Sequence, residues 1–175
     1  MSTFSILIVI VFLILAVGII YSRFAGLNSK MNKLWQNTIP ILKQRYQLFP
    51  LVVNMAKNQA KYDQENLQAL LNIYTQANDP RTNSNTHFEL DNQATPLISG
   101  LLVHFQNYPE LSQSPEFINL EKNILNIENI LNNNKFSYNA LAAEFNQVLS
   151  TSPNSYLGLI FRYTPKEPLQ ITQFR

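Results

Sequence analysis
Cysteine is absent from all 175 residues, which excludes a disulfide framework, a thiolate metal site and a cysteine nucleophile. Glycine occurs four times, at 18, 26, 100 and 158. So few and so scattered, these glycines assemble neither the glycine-flanked serine of a nucleophile elbow nor a P-loop nor a dinucleotide fingerprint. The two histidines, His87 and His104, lie far apart with no HxxxH or ExxH partner, so neither a metal site nor a cofactor is expected. His104 reads as a hydrogen-bonded boundary residue on a largely apolar helix, and His87, in a polar stretch, as exposed. Charged residues make up 14% of the chain, against about 25% in an average globular domain. The net charge of +2, with no basic stripe, argues against a nucleic-acid partner. No run alternates with period two for long enough to form a strand. Amides fill the gap left by charge, with 22 Asn and 13 Gln, a bias of composition more than of chemistry.

What is present begins with an apolar run over residues 4–21, FSILIVIVFLILAVGIIY, interrupted only by Ser5 and Gly18. As a helix, about 18 residues rising ~1.5 Å each span about 27 Å, enough to cross a bilayer. No Lys or Arg precedes the run and no small-x-small cleavage site follows it, so an uncleaved anchor is expected rather than a removed signal. The positive charges Arg23, Lys30 and Lys33, then Lys43 and Arg45, lie on its C-terminal side. The positive-inside bias therefore places the N-terminus outside and the rest of the chain in the cytoplasm. Arg23, Lys30 and Lys33 are candidates for headgroup contact on that leaflet.

Beyond residue 22 the apolar pattern is helical. Ser114 caps a helix opened by Pro115, with Glu116 complementing its dipole. Phe117, Leu120, Ile124, Ile127, Leu131, Asn134, Tyr138, Leu141, Phe145 and Val148 then form a heptad seam ending near Pro153. A shorter helix is predicted from Thr95 and Pro96 through Leu97, Leu101, Phe105 and Tyr108, stopping before Pro109. The polar string over 78–92, NDPRTNSNTHFELDN, reads as the longest loop. Residues 51–74 read as helical, with Gln59 on the apolar face beside Tyr62. Before them a helix continues from the membrane, with Pro40 expected to kink it and Pro50 to bend or break it. The expectation is an all-α chain: an N-terminal transmembrane helix over 1–22, then an antiparallel bundle of about four long helices over 23–163, then a loosely ordered tail over 164–175.

Acidic residues are present without a catalytic arrangement. Asp63 and Glu65 do not share a helix face, and Glu121 and Glu128 share one but stand beside Lys122 and amides. The aromatic residues fall mostly on apolar faces, where they read as core.

The stretch KQRYQLFPLVV from Lys43 to Val53 resembles the K-R-R-Y-D-L-I-P-N-L-V signature of the LemA family of bacterial membrane proteins. Tyr108, Pro109 and Leu111, followed by Phe117 and Leu120, are similar to its Y-P-x-L…F…L element. Glu128, Lys135, Tyr138-Asn139 and Phe145-Asn146 fall where that family has E…R…Y-N…Y-N, and Pro153 with 158–161 matches its ending. Departures are Gln44 for Arg, Gln47 for Asp, Leu51 for Asn, Gln106 for Glu and Lys135 for Arg.

The resemblance implies a single-pass inner-membrane protein with a cytoplasmic bundle of long helices, no catalytic residues and a biochemical role not established for the family. The expected function is non-enzymatic: a scaffold, adaptor or membrane-organising protein, with an unknown protein partner or self-association and no small-molecule substrate. Lys43, Arg45 and Tyr46 with Tyr138, Asn139 and Asn146 are the candidates for an interaction groove, against the plainer reading that the signature is a proline-bent folding element. Two alternatives stand beside it. One is an extracytoplasmic helical binding domain of opposite orientation. The other, more remote, is an enzyme with a carboxylate or tyrosine site between helices, whose mark would be clustered, buried ionisable residues.

Overall fold
The computed structural model describes residues 3–57 and 63–169. All secondary structure among them is helical: α1 Thr3–Gln47, α2 Phe49–Met55, α3 Gln64–Ala77, α4 Ser84–Phe105, α5 Pro109–Ser112, α6 Pro115–Ser150 and α7 Asn154–Ile160. The all-α expectation holds, and the long helices are α1, α3, α4 and α6. Tyr62 and Gln59 lie outside the described residues.

Local chemistry explains the helix ends. Asp63 caps α3 by accepting from the Glu65 amide, and Asn83 caps α4 by accepting from the Thr86 amide at 2.9 Å. Ser114 Oγ accepts from the Phe117 amide at 3.2 Å, as its sequence position predicts, and α6 then runs unbroken to Ser150. The helix α1 continues through Pro40 and stops at Gln47, and Pro50 stands in the first turn of α2, where its missing N–H is harmless.

Three expectations of helix bounds need correction. Residues 51–74 do not form one helix, because α2 ends at Met55 and Asp63, with a non-helical backbone, caps a separate α3. The string 78–92 is not one long loop, because α4 begins at Ser84 and its first half is drawn from the residues that look like loop. Thr95 and Pro96 accordingly lie inside α4, not at its start. The apolar positions Phe88, Leu90, Ala94, Ile98, Leu101, Leu102 and Phe105 are buried along this helix. Their burial outweighs the poor helix propensity of the intervening Asn, Asp and Thr.

The chain forms two compact units. Residues 35–135 make the larger one. Its core gathers Leu42, Tyr46 and Phe49, Val52 and Val53, Leu67 and Leu70, Ile98 and Leu101, and Phe117, Leu120, Ile124 and Leu131. Residues 1–34 with 136–169 make the other, cored by Phe24, Leu27, Met31, Phe145 and Val148 with Tyr163 packed against them. Ring centroids of Phe24 and Phe145 are 5.3 Å apart in an edge-on pair. The N-terminal segment of α1 is long and apolar enough to cross a membrane, and its side chains are uncovered.

The tail, read as loosely ordered, is tied down as far as residue 169. Asn146 donates to the Lys166 carbonyl and accepts from the Lys166 amide, both at 2.8 Å. Asn139 treats Leu169 the same way, at 2.9 and 2.7 Å. The spacing accounts for the match: seven helical residues rise about 10.5 Å, and three extended residues cover about 10 Å. Two side-chain amides one heptad apart thus grip an extended segment as a neighbouring strand would, through main-chain groups alone. Replacing Asn146 with Ala should leave the fold intact and raise hydrogen exchange at the Lys166 amide roughly tenfold, for a loss of about 1.4 kcal/mol of local protection. Unchanged exchange at that amide, followed by mass spectrometry on the full chain in detergent, would show the tether to be inert.

Candidate functional site: a buried charge network
Arg45 belongs to the last turn of α1, yet it is wholly buried, and three further charged residues of the larger unit are buried with it: Asp91 from α4, and Glu128 and Lys135 from α6. The Arg45 guanidinium reaches both carboxylates, Nη1 to Asp91 Oδ1 and Nη2 to Glu128 Oε1. Lys135 Nζ closes the chain on the other Asp91 oxygen, Oδ2, at 2.8 Å. With Glu128 ionised, two cations and two anions give a formal charge of zero. That balance is what allows four ions to leave water together.

The helix faces supply the geometry. On α4, His87, Asp91 and Thr95 follow at steps of four and so line one face. The Thr95 hydroxyl accepts from Arg45 Nη2 at 3.0 Å and donates back to the Asp91 carbonyl at 2.8 Å. The His87 carbonyl accepts from the Tyr46 hydroxyl at 2.7 Å. On α6, Glu128 and Lys135 are one heptad apart, each directly after a seam position, Ile127 and Asn134. Asn134 itself donates to Thr38 Oγ1 of α1 at 3.1 Å, so the amide on the seam has a structural partner. Lys135 also stands over the Phe88 ring, 5.4 Å from its centroid, and Phe88 packs edge-on against Trp35 at 4.6 Å.

Burial sets the protonation behaviour. Removal from water pushes the Glu128 carboxyl up to about 7, outweighing the opposing pull of Arg45, while Asp91 adds to the rise and Lys135 lowers it. Tyr46 is pushed well above its ordinary value by burial, with Asp91 adding to the rise, and keeps its proton. His87, expected to be exposed, is instead buried on α4 with its ring stacked on Tyr46 at 5.9 Å. Burial, followed by the charge of Lys43, lowers its pKa and holds it neutral.

The sequence-predicted site residues divide between the units. Arg45 and Tyr46 have their polar groups committed inside the larger unit, and only Lys43 of the signature cations is exposed. Tyr138, Asn139 and Asn146 belong to the other unit, half-buried, with both asparagine side chains holding the tail. Arg23 faces Glu144 at 3.8 Å on the surface, and Lys30 and Lys33 are exposed. Asp91 and Thr95 were missed by sequence reasoning. A usable signal existed, since both continue, at helical spacing, the face that carries His87 and Phe88.

Clustered buried ionisable groups are the mark set for a hidden enzyme site, and here they exist. Each of the four is at most 4% exposed, every cation faces a carboxylate, and no Ser or Cys nucleophile stands among them. Among the described residues no three His, Asp or Glu side chains could hold a metal.

Comparison with known families agrees with the motifs. Residues 34–175 match the model of the LemA family. The match spans most of the chain, and the protein belongs to that family. No curated protein matches it.

Two outcomes follow from the network. Arg45→Ala strands the buried Glu128 carboxylate and leaves Asp91 with Lys135 alone, and should lower unfolding free energy by about 3–5 kcal/mol, read by urea denaturation of the full chain in detergent. A Glu128 pKa raised by folding means that the native state binds the extra proton. Its contribution is therefore fully present below pH 4.5 and lost as pH rises through about 7, on the order of 3 kcal/mol over that window. The Glu128→Gln variant should flatten that falling limb. An unaltered pH profile would show that Glu128 is ionised throughout.

Proposed function
We propose that this LemA family chain is a single-pass protein of the bacterial inner membrane, its body acting through protein contacts as a scaffold, adaptor or membrane-organising element and not as an enzyme. The observation that carries this reading is the contrast between two segments. The apolar side chains over residues 6–15 lie uncovered, which suits lipid and not water. The best candidate for chemistry is a closed, charge-neutral network that holds helices together. No substrate reaches atoms so buried, and a sealed network of this kind supports a folding role.

The orientation reading rests on the cations after the span, with the N-terminus outside and the body cytoplasmic. Since α1 continues as one helix, Lys30 and Lys33 stand about 14 and 18 Å beyond Tyr21 along its axis. Both distances exceed the roughly 8 Å screening length at physiological salt, which leaves Arg23 as the cation best placed for a headgroup. Lys43, exposed on the signature segment, is the side chain there with access to a protein partner.

The absence of native cysteine makes the test clean. A Lys122→Cys variant should resist carbonate extraction from membranes and react with a bulky maleimide only after the inner membrane is opened. Reaction in intact spheroplasts would reverse the orientation, and extraction by carbonate would remove the anchor. A photo-cross-linker at Lys43 should yield a protein adduct or a self-adduct in cells. A folded, membrane-bound chain giving neither there, nor from probes elsewhere on the body, would defeat the scaffold reading.

A further inference from the structure
The short helix α7 carries an apolar face that nothing in its unit covers. Tyr156, Leu159 and Ile160, spaced as i, i+3 and i+4, lie on one side of it and are 67%, 77% and 70% exposed. Its other side is seated. Gly158 is buried, and a Cβ there would stand 2.2 Å from Leu149 Cδ1, so the missing side chain lets α7 lie against the end of α6.

The end of α7 is fixed as well. The Tyr163 amide donates to the Gly158 carbonyl at 2.9 Å and the Arg162 amide to the Leu159 carbonyl at 3.2 Å, the paired bonds of a Schellman turn. Arg162 takes the left-handed conformation such a turn needs, with φ 55°, a strained choice for a residue other than glycine. Tyr163 is then packed against Phe24, at 4.9 Å, and Phe145, at 5.8 Å. The apolar face is thus held outward by a rigid inner side and a defined turn.

Its position within the unit identifies what covers it. Phe161, the next residue, has its ring centroid 5.3 Å from that of Tyr21, and Tyr21 is the last residue of the apolar run in α1. Tyrosine at the end of a membrane span sits at headgroup level, and the Phe161 ring packs against it. Arg162, exposed, follows Phe161 directly, and Arg23, exposed and 3.8 Å from Glu144, lies two residues after Tyr21, so cations accompany both rings in the chain, as suits an anionic lipid surface.

We propose that α7 is a second membrane contact, its Tyr156, Leu159 and Ile160 face lying in the boundary between phospholipid headgroups and acyl chains beside the end of the α1 span. The inference rests on the reading of α1 as a membrane anchor and adds to it a monotopic element. The chain would then be held by a span and by an apolar foot at its base.

Native absence of cysteine again serves the experiment. Leu159→Cys and Ile160→Cys, with Leu13→Cys and Lys122→Cys as references, are labelled with an environment-sensitive fluorophore in the full chain. The proteins are reconstituted into phosphatidylcholine and phosphatidylglycerol vesicles. Probes at 159 and 160 should shift to the blue and resist aqueous iodide. They should lose most of their emission to nitroxide lipids labelled about 5–10 Å into the headgroup boundary. The probe at 13 should respond to nitroxide deep in the acyl chains, and the probe at 122 to iodide alone. If 159 and 160 respond to iodide as 122 does while 13 is embedded, the foot is overturned and the anchor stands. Should 159 and 160 be shielded from iodide yet untouched by lipid nitroxide, a protein surface covers α7 and the inference fails equally. Iodide quenching at 13 would overturn both readings together.

Discussion
Four charges inside a helical core must neutralise one another or leave it, and that requirement fixes the larger unit. Arg45 has to meet Asp91 and Glu128 at once, and Lys135 has to take the second Asp91 oxygen. The demand sets the rotation and axial register of α1, α4 and α6 together, because a slip of one helix by a single residue would turn its charge by about 100° and strand the others. Apolar contacts between the same helices tolerate such slips far better, being non-directional. Such a network is weak evidence for stability in itself, since a well-packed apolar set of equal volume often serves as well or better. Its value here is geometric, because it excludes alternative packings of helices whose surfaces are unusually rich in interchangeable amides.

That view also explains which parts of the fold were legible. The seam of α6 is readable because nine apolar residues and Asn134 repeat over five heptads, and Ser114 with Pro115 marks its start. The first half of α4 is not, since composition there signals loop: between Asn78 and Asn92 polar residues outnumber apolar ones, and only Phe88 and Leu90 speak for a helix. Tertiary burial decided the matter, with Asn83 capping the helix and Asp91 bound by two cations. The charged partner that makes Arg45 intelligible thus lay in the segment where helix signals were weakest. Arg45 stands out as a signature residue, but a single sequence carries the same letter for a surface cation and a buried one.

Two of the amides have a defined structural task. Asn139 and Asn146 belong to a repeated aromatic-asparagine pair, and in the structure the repeat is mechanical. The aromatic members, Tyr138 and Phe145, join the core of their unit, while the asparagines face the tail and bind its main chain. Only a side chain with both a donor and an acceptor at its tip can satisfy a residue's N–H and C=O together, which is why aspartate, lacking the donor, would not serve. Lys166 adds its ammonium over the Phe145 ring at 5.6 Å.

The departures from the family signature sort by the same physics. Gln44, Gln47, Leu51 and Gln106, where charge or polarity differs from the pattern the chain resembles, are all exposed. Exposed charges contribute little to stability, so a fold can lose them singly without harm. The remaining departure, Lys135 for Arg, is buried, and it keeps its sign. Lysine cannot offer the two-pronged contact of arginine, but one ammonium suffices where only Asp91 Oδ2 remains to be neutralised, and the Phe88 ring takes its free side. A neutral residue at 135 would leave one more carboxylate than cation in the core, as loss of Arg45 would. Change at the other four positions alters what the surface of the larger unit presents, and leaves untouched the charge balance that shapes it.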